Sequence, residues 1–259
     1  MGSFFCCFCY SAFILISDVF SKTGNKWFNS WSCQRLSLIK YKSIIFGSIG
    51  TLVETSNIQR KSFNKAFKKL GLNWHWSVNE YKKLLENSGG ENRLSKYANK
   101  KNIKVNTKRL RNLKTKFFNN YLKKNKLKPR PGVLNIINFC KKNNIKLGFA
   151  TSTSTNNINA IFFTLRNKIK KKDFNFIGNG KLVSRKKPYP EIYKIALKKM
   201  NLRSNECLAI EDTEESTRSA LKAKIRCIAF PGKLQKHKKF KGAYKIIEKL
   251  NKKNIFTDL

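Results

Sequence analysis

Aspartate chemistry in this chain has four residues to draw on, Asp18, Asp173, Asp212 and Asp258, beside ten glutamates. Carboxylates serve as nucleophiles, as general acids and bases, and as ligands for hard cations. Glu211 and Asp212 stand side by side directly after an apolar run, CLAI. Thr151, Ser152 and Thr153 follow another such run, KLGFA, with a row of hydroxyls. Lys187 stands before Pro188-Tyr189-Pro190, a rigid stretch that fixes its register in an otherwise lysine-rich chain. Cysteine and histidine offer less. The seven cysteines form no disulfide framework, and the Cys6-to-Cys9 spacing has no second pair or nearby histidine to complete a metal site.

Those residues need elements to hold them. SIIF, ending at Phe46, is a short β-branched strand followed by a glycine-containing turn, Gly47-Ser48-Ile49-Gly50-Thr51. Residues 57–128 are helical in pattern throughout, with no convincing strand. From KLGFA onward strands and helices alternate: FNFIG, PEIYKIALKKM, CLAIE, TEESTRSALKAK, RCIAF and a closing helix over AYKIIEKLN. Parallel strands joined by helices predict an α/β fold with a doubly wound parallel sheet. Such sheets bind ligands at the carboxyl ends of their strands, where the polar groups above stand. A helical insert after the first strand would cover that edge as a cap.

The 259 residues suffice for a core domain with a smaller insert. A formal net charge of +42 admits nucleic acid or another anionic surface as a non-specific partner. The lysines are spread with asparagine through runs such as KKNNIK rather than clustered, which is the pattern of a solvated surface shaped by A+T-rich codons. Residues 1–42 differ from the rest: an apolar stretch too short to span a bilayer, then an acid-poor segment rich in Ser, Lys and Arg. They read as an organellar targeting leader, with a plain tail or a misassigned start as the alternatives. A plastid location follows if the leader is a transit peptide, and a cytoplasmic one otherwise. No membrane span is expected in the mature chain, and a monomer is expected.

In order and spacing these motifs resemble the haloacid-dehalogenase superfamily, and within it the CbbY-like sugar-phosphate phosphatases, over nearly everything from Ser43 to Leu250. The family's first motif, F-D-x-D-G-T-L-V-D-T, is matched by Phe46-Gly47-Ser48-Ile49-Gly50-Thr51-Leu52-Val53-Glu54-Thr55. The resemblance implies a haloacid-dehalogenase-like core over 43–56 and 129–250, a helical cap over 57–128 and a tail over 251–259. It makes Thr151, Ser152 and Lys187 phosphate-binding residues, Arg93 a cap contact to a distal phosphate, and Asp212 a direct magnesium ligand supported by Glu211. A phosphorylated sugar is the implied ligand.

The frame has lost both carboxylates of that first motif. In the family mechanism the first aspartate attacks phosphorus and the second shuttles the proton. Gly47 has no side chain to do the one, and Ile49 has only hydrocarbon for the other. Ser48 is expected to face the wrong side of the loop. Magnesium binding is expected to be weak or lost. The chain therefore reads as a catalytically impaired member that binds a phosphosugar. The alternatives are an active magnesium-dependent phosphatase working by an altered route, and a non-catalytic nucleic-acid-binding protein.

Overall fold

The computed structural model of the protein describes residues 40–85, 89–125 and 127–256. The leader thus lies outside the described residues except for its last three. Of these, Tyr41 is already buried, and the Lys42 backbone bonds to Glu206 and Lys146, so the core takes up the chain there.

Chain order runs from β1 (Ser43–Phe46) through α1 (Ile49–Leu52), α2 (Ser56–Lys69), α3 (Val78–Leu84), α4 (Gly90–Lys100), α5 (Thr107–Lys124) and α6 (Val133–Lys142). β2 (Lys146–Ala150), α7 (Thr155–Leu165), β3 (Phe176–Gly178), α8 (Glu191–Met200) and β4 (Cys207–Glu211) follow. The chain closes with α9 (Glu214–Lys222), β5 (Arg226–Ala229), β6 (Lys245–Ile246) and α10 (Lys252–Phe256). The strands form one parallel sheet in the order β3-β2-β1-β4-β5-β6. Continuous apolar runs such as SIIF and CLAIE are buried on both faces, as a sheet covered by helices on each side requires.

Strand order reverses around β1, and that reversal opens the crevice where such sheets bind ligands. Phe46 pairs in register with Phe149 of β2 and Ile210 of β4. Gly47, Ala150 and Glu211 therefore leave the sheet at one level, and every strand-end motif of the sequence meets there.

Helices α2–α5 form the cap between β1 and β2. Their core is aromatic: Phe63 and Phe67 of α2 close on Trp76, with ring centroids 4.7 and 4.8 Å away, and Tyr81 and Tyr97 complete the cluster. Side-chain caps set two of the starts, Ser77 accepting from the Glu80 amide and Asn106 from the Arg109 amide. Along α5 the buried positions are Leu110, Lys114, Phe118 and Leu122, one face at a spacing of four. Lysine stands second in that apolar stripe.

The closing helix expected over AYKIIEKLN is corrected. Lys245–Ile246 form β6 instead, because the exposed edge of β5 offers acceptors: Tyr244 donates to the Cys227 carbonyl at 2.8 Å and Ile247 to Ala229 at 2.9 Å. Pairing to a sheet edge outweighs local helix propensity there. Helix comes later, as α10, whose Phe256 packs on Phe139 of α6 at 4.7 Å. Cys140, Cys207 and Cys227 are buried thiols. Burial pushes Cys140 and Cys207 up to about 12, which makes them packing groups rather than nucleophiles.

The chain returns from cap to core through Gly132, at φ 82°. A Cβ there would overlap the Leu250 carbonyl, whose own amide bonds to Pro131. Gly71, at φ 68°, has nothing around it. Gly132→Ala is expected to cost more than about 2 kcal/mol in denaturant unfolding, against about 1 kcal/mol for Gly71→Ala. Equal costs would show that the backbone angle alone, not the packed return, makes Gly132 necessary.

Candidate functional site

A cavity of about 340 Å³ lies over the carboxyl ends of β1, β2 and β4, with the cap as its other wall. On the core side it is lined by Ser48, Ile49, Thr151, Ser152, Lys186 and Asp212. On the cap side it is lined by Arg93, Arg111 and Lys114. Asp212 is the sole carboxylate among the described lining residues, so the cavity carries four cations against one anion. That balance suits a multiply charged anion.

Gly47, Lys187 and Glu211 are not at the surface of this cavity. They lie behind its core wall, in a closed cluster. The Lys187 amine donates to the Gly47 carbonyl at 2.5 Å and also to Glu211 Oε1. Tyr193 donates to the same Glu211 oxygen at 2.5 Å. Both charged side chains are nearly inaccessible, 6% exposed for Lys187 and 0% for Glu211. Burial holds Glu211 above the usual carboxylate range, opposed by the charge and hydrogen bond of Lys187 and by the Tyr193 hydroxyl. Burial, reinforced by Glu211, raises Tyr193 well above its ordinary value, so its proton stays on the phenol.

The cluster occupies the place a side chain at position 47 would take. A Cβ added to Gly47 would overlap the Glu211 carboxylate and the Tyr193 hydroxyl. Glycine at 47 and the inward-turned Glu211 are two halves of one packing solution.

Ser48 departs from expectation. Rather than facing away, it lines the cavity and donates to Asp212 Oδ1 at 2.6 Å. Its freedom comes from its place ahead of α1, in extended backbone, with no cap bond to make. Asp212 is itself partly buried. Desolvation raises it, opposed by the Ser48 hydrogen bond and the charge of Arg130. Thr151 is buried and accepts from the Thr153 amide at 3.2 Å, turning the polar loop back over the end of β2. Asn157 Nδ2 donates to Thr153 Oγ1 at 3.0 Å and braces that loop.

Among the site residues outside the sequence-based expectation, two leave a signal in the sequence. Arg130 donates to the carbonyls of Gly50, Phe230 and Pro231 at 2.6–2.8 Å and stacks on the Phe230 ring, tying the loop after β1 to the sheet beyond β5. Its sequence signal is an arginine held between Pro129 and Pro131 at the return from the cap. Lys114 is the other. It is 8% exposed, donates to Gln59 Oε1 at 2.9 Å and lies over the rings of Phe63 and Phe118. Its signal is the lysine interrupting the apolar stripe of α5.

Comparison with known proteins places this geometry. The family profile described as haloacid dehalogenase-like hydrolase matches residues 44–230. The chain belongs to that family. It is 31% identical to the protein CbbY of Cereibacter sphaeroides over 210 residues, 80% of this chain and 91% of that protein. The crystal structure of CbbY from Rhodobacter sphaeroides in complex with phosphate superposes with a TM-score of 0.73 at 31% identity, covering 82% of this chain and 94% of that one. A second structure of that protein, with the same score and coverage, holds xylulose-(1,5)bisphosphate. Within the hydrolase family, then, this is a CbbY-like chain.

Family members typically use magnesium, and the donor set here does not fit a resident ion. Glu211 Oε1 is committed to Lys187 and Tyr193, and its Oε2, although without a hydrogen-bond partner, is sealed behind the cavity wall. Asp212 alone remains, with one oxygen taken by Ser48. Among the described residues no group of three or more His, Cys, Asp or Glu side chains converges. Magnesium accepts few protein ligands, but it needs oxygens that can turn toward one point. The residues present support no chemical step through it.

If Glu211 fills the space beside Gly47, the two positions must be energetically coupled. Gly47→Ala is expected to cost about 1–3 kcal/mol by overpacking. In a double-mutant cycle with Glu211→Ala, read by denaturant unfolding, the coupling should exceed about 1 kcal/mol. Additive costs would mean that the space is open.

Proposed function

We propose that this CbbY-like chain binds a phosphorylated sugar between core and cap without turning it over. One observation carries the reading: the position of the family's nucleophile holds glycine, and the Glu211–Tyr193 pair fills the space beside it. Loss of the nucleophile from a concerted catalytic unit typically costs on the order of a million-fold in turnover. Ile49, at the proton-shuttling position, lines the cavity with hydrocarbon alone. What the pocket retains is suited to holding an anion: the hydroxyls and amides of Thr151 to Thr153, and the cations of the cap.

A sugar bisphosphate is the ligand class we favour. Support comes from the xylulose bisphosphate found in the similar CbbY structure, and from cations on both walls of the cavity. Lys187 makes no direct contact with such a ligand, since Glu211 engages its amine. Magnesium, on this reading, adds little or nothing to binding. The acid-poor character of residues 1–42 supports import into a plastid.

A second reading rests on the Ser48–Asp212 contact. A serine hydroxyl bonded to a carboxylate of raised proton affinity has the pairing of a nucleophile with its base. Ser48 Oγ would attack phosphorus as its proton passes to Asp212; the bond from phosphorus to the sugar oxygen breaks, Asp212 returns that proton to the departing oxygen, and water then hydrolyses the phosphoserine to free phosphate and restore the serine. Phosphate release from a panel of sugar mono- and bisphosphates, with and without magnesium, tests both readings. The native chain is expected to bind a bisphosphate and release no phosphate above background. Robust release would overturn the binding-only reading, and its loss in Ser48→Ala would establish the serine route.

A further inference from the structure

The loop that follows β5, residues 230–235, is gripped by both connections between core and cap. On the outgoing connection, Glu54 accepts from the Ser56 amide at 2.9 Å with one carboxylate oxygen and from the Lys233 amide at 2.8 Å with the other. On the return connection, Arg130 donates to the Phe230 and Pro231 carbonyls at 2.8 and 2.6 Å. The two connections meet there, the Arg130 amide bonding to the Leu52 carbonyl at 2.8 Å. Gly232 lets the loop lie close: a Cβ at that position would stand 3.2 Å from the Glu54 carboxylate.

The tip of the same loop belongs to the cap. Leu234 packs against the cap's aromatic cluster, and buried Gln235 donates to the Leu85 carbonyl at 3.5 Å. Gly232 and Gln235 also line the cavity, so the loop forms its wall on the β5 side. A short piece of core thus joins the connections, the cavity and the interior of the cap.

The opposite flank is tied differently. α7 follows β2, which lies on the other side of β1 from β5, and packs against α5. Thr164, at the edge of burial, donates to the carbonyls of Leu122 and Asn125 at 3.0 and 3.2 Å. That flank is one helix laid on another. The β5 flank rests on a half-buried leucine and a long hydrogen bond. Where fewer buried contacts join two parts, they open at lower free energy.

We propose that residues 230–235 are the latch of the cap: Leu234, seated in the aromatic cluster, holds the cap down, and the cap opens on the β5 flank by withdrawing it while the α5–α7 flank stays closed. Because Glu54 and Arg130 grip the base of the loop, its tip and the two connections are released as one unit. The inference goes beyond the binding reading and does not depend on which anion the cavity takes.

Hydrogen exchange of the full chain, read by mass spectrometry, tests the latch without a ligand. In the native chain the segments carrying the Ser56 and Lys233 amides should open together with α3 and α4, and more readily than α7. Leu234→Ala acts at the tip. It should accelerate exchange about tenfold in the loop, in both connections and in α3 and α4. Glu54→Gln acts at the base, replacing one of the two amide-accepting oxygens with a donor. It should accelerate the same segments, α3 and α4 included, although Glu54 is not part of the aromatic cluster. In both variants α7, β1, β2 and β4 should change less than about twofold. Acceleration confined to residues 230–235 would mean that the loop has no hold on the cap. Equal acceleration of α7 and the strands would mean that cap and core open only as a whole. Either result, or no acceleration of α3 and α4 in either variant, overturns the proposal.

Discussion

Beneath the loop after β1, one lysine, one glutamate and one tyrosine close on each other, and the rest of the site is arranged around that closure. A buried lysine alone, or a buried glutamate alone, would be untenable beneath the carboxyl edge of a parallel sheet. Together, with the Tyr193 hydroxyl and the Gly47 carbonyl taking up further hydrogen-bonding capacity, they form a neutral unit. Once Glu211 has turned inward, Gly47 is required by packing, and Asp212 is left as the only carboxylate facing the cavity among the described residues. Glycine at 47, the committed Glu211 carboxylate and the engaged Lys187 amine are thus one structural fact seen from three sides.

Charge in the pocket is redistributed as a result. On the core wall Lys187 is neutralised, and Lys186, its neighbour, faces the cavity instead. On the cap wall three cations remain, one of them set against two aromatic rings. Most of the basic side chains lining the cavity among the described residues therefore stand on the cap wall.

Much of this architecture is legible in the amino-acid sequence. Short apolar strands followed by polar residues put Thr151, Asp212 and the first-motif loop at one sheet edge, and the parallel register bears out that level. The cap, too, can be read from its unbroken helical periodicity. What the sequence conceals depends on side chains turning in three dimensions. Nothing in the segment Gly47-Ser48-Ile49 announces that Ser48 swings to Asp212, since the family frame has a carboxylate beside it. Nor does K-P-x-P reveal that its lysine is spent on Glu211. The strand β6 has helical local character because its donors answer to β5, a partner distant in sequence and invisible to local propensity.

Lys114, by contrast, carries a signature in the sequence that composition hides. In a chain with 56 basic residues any one lysine is uninformative by count. Position separates it from the others. Leu110, Phe118 and Leu122 mark the buried face of α5, and a residue four after the first and four before the second must share it. Surface lysines cost a fold almost nothing, so drift toward lysine can multiply them freely. A lysine at the centre of an apolar stripe must overcome desolvation, and drift alone gives no reason for it to be held in contact with a cavity. The same logic applies to acids: in a chain whose composition has been pushed toward base, Glu211 and Asp212 stand together at the end of β4 despite that drift.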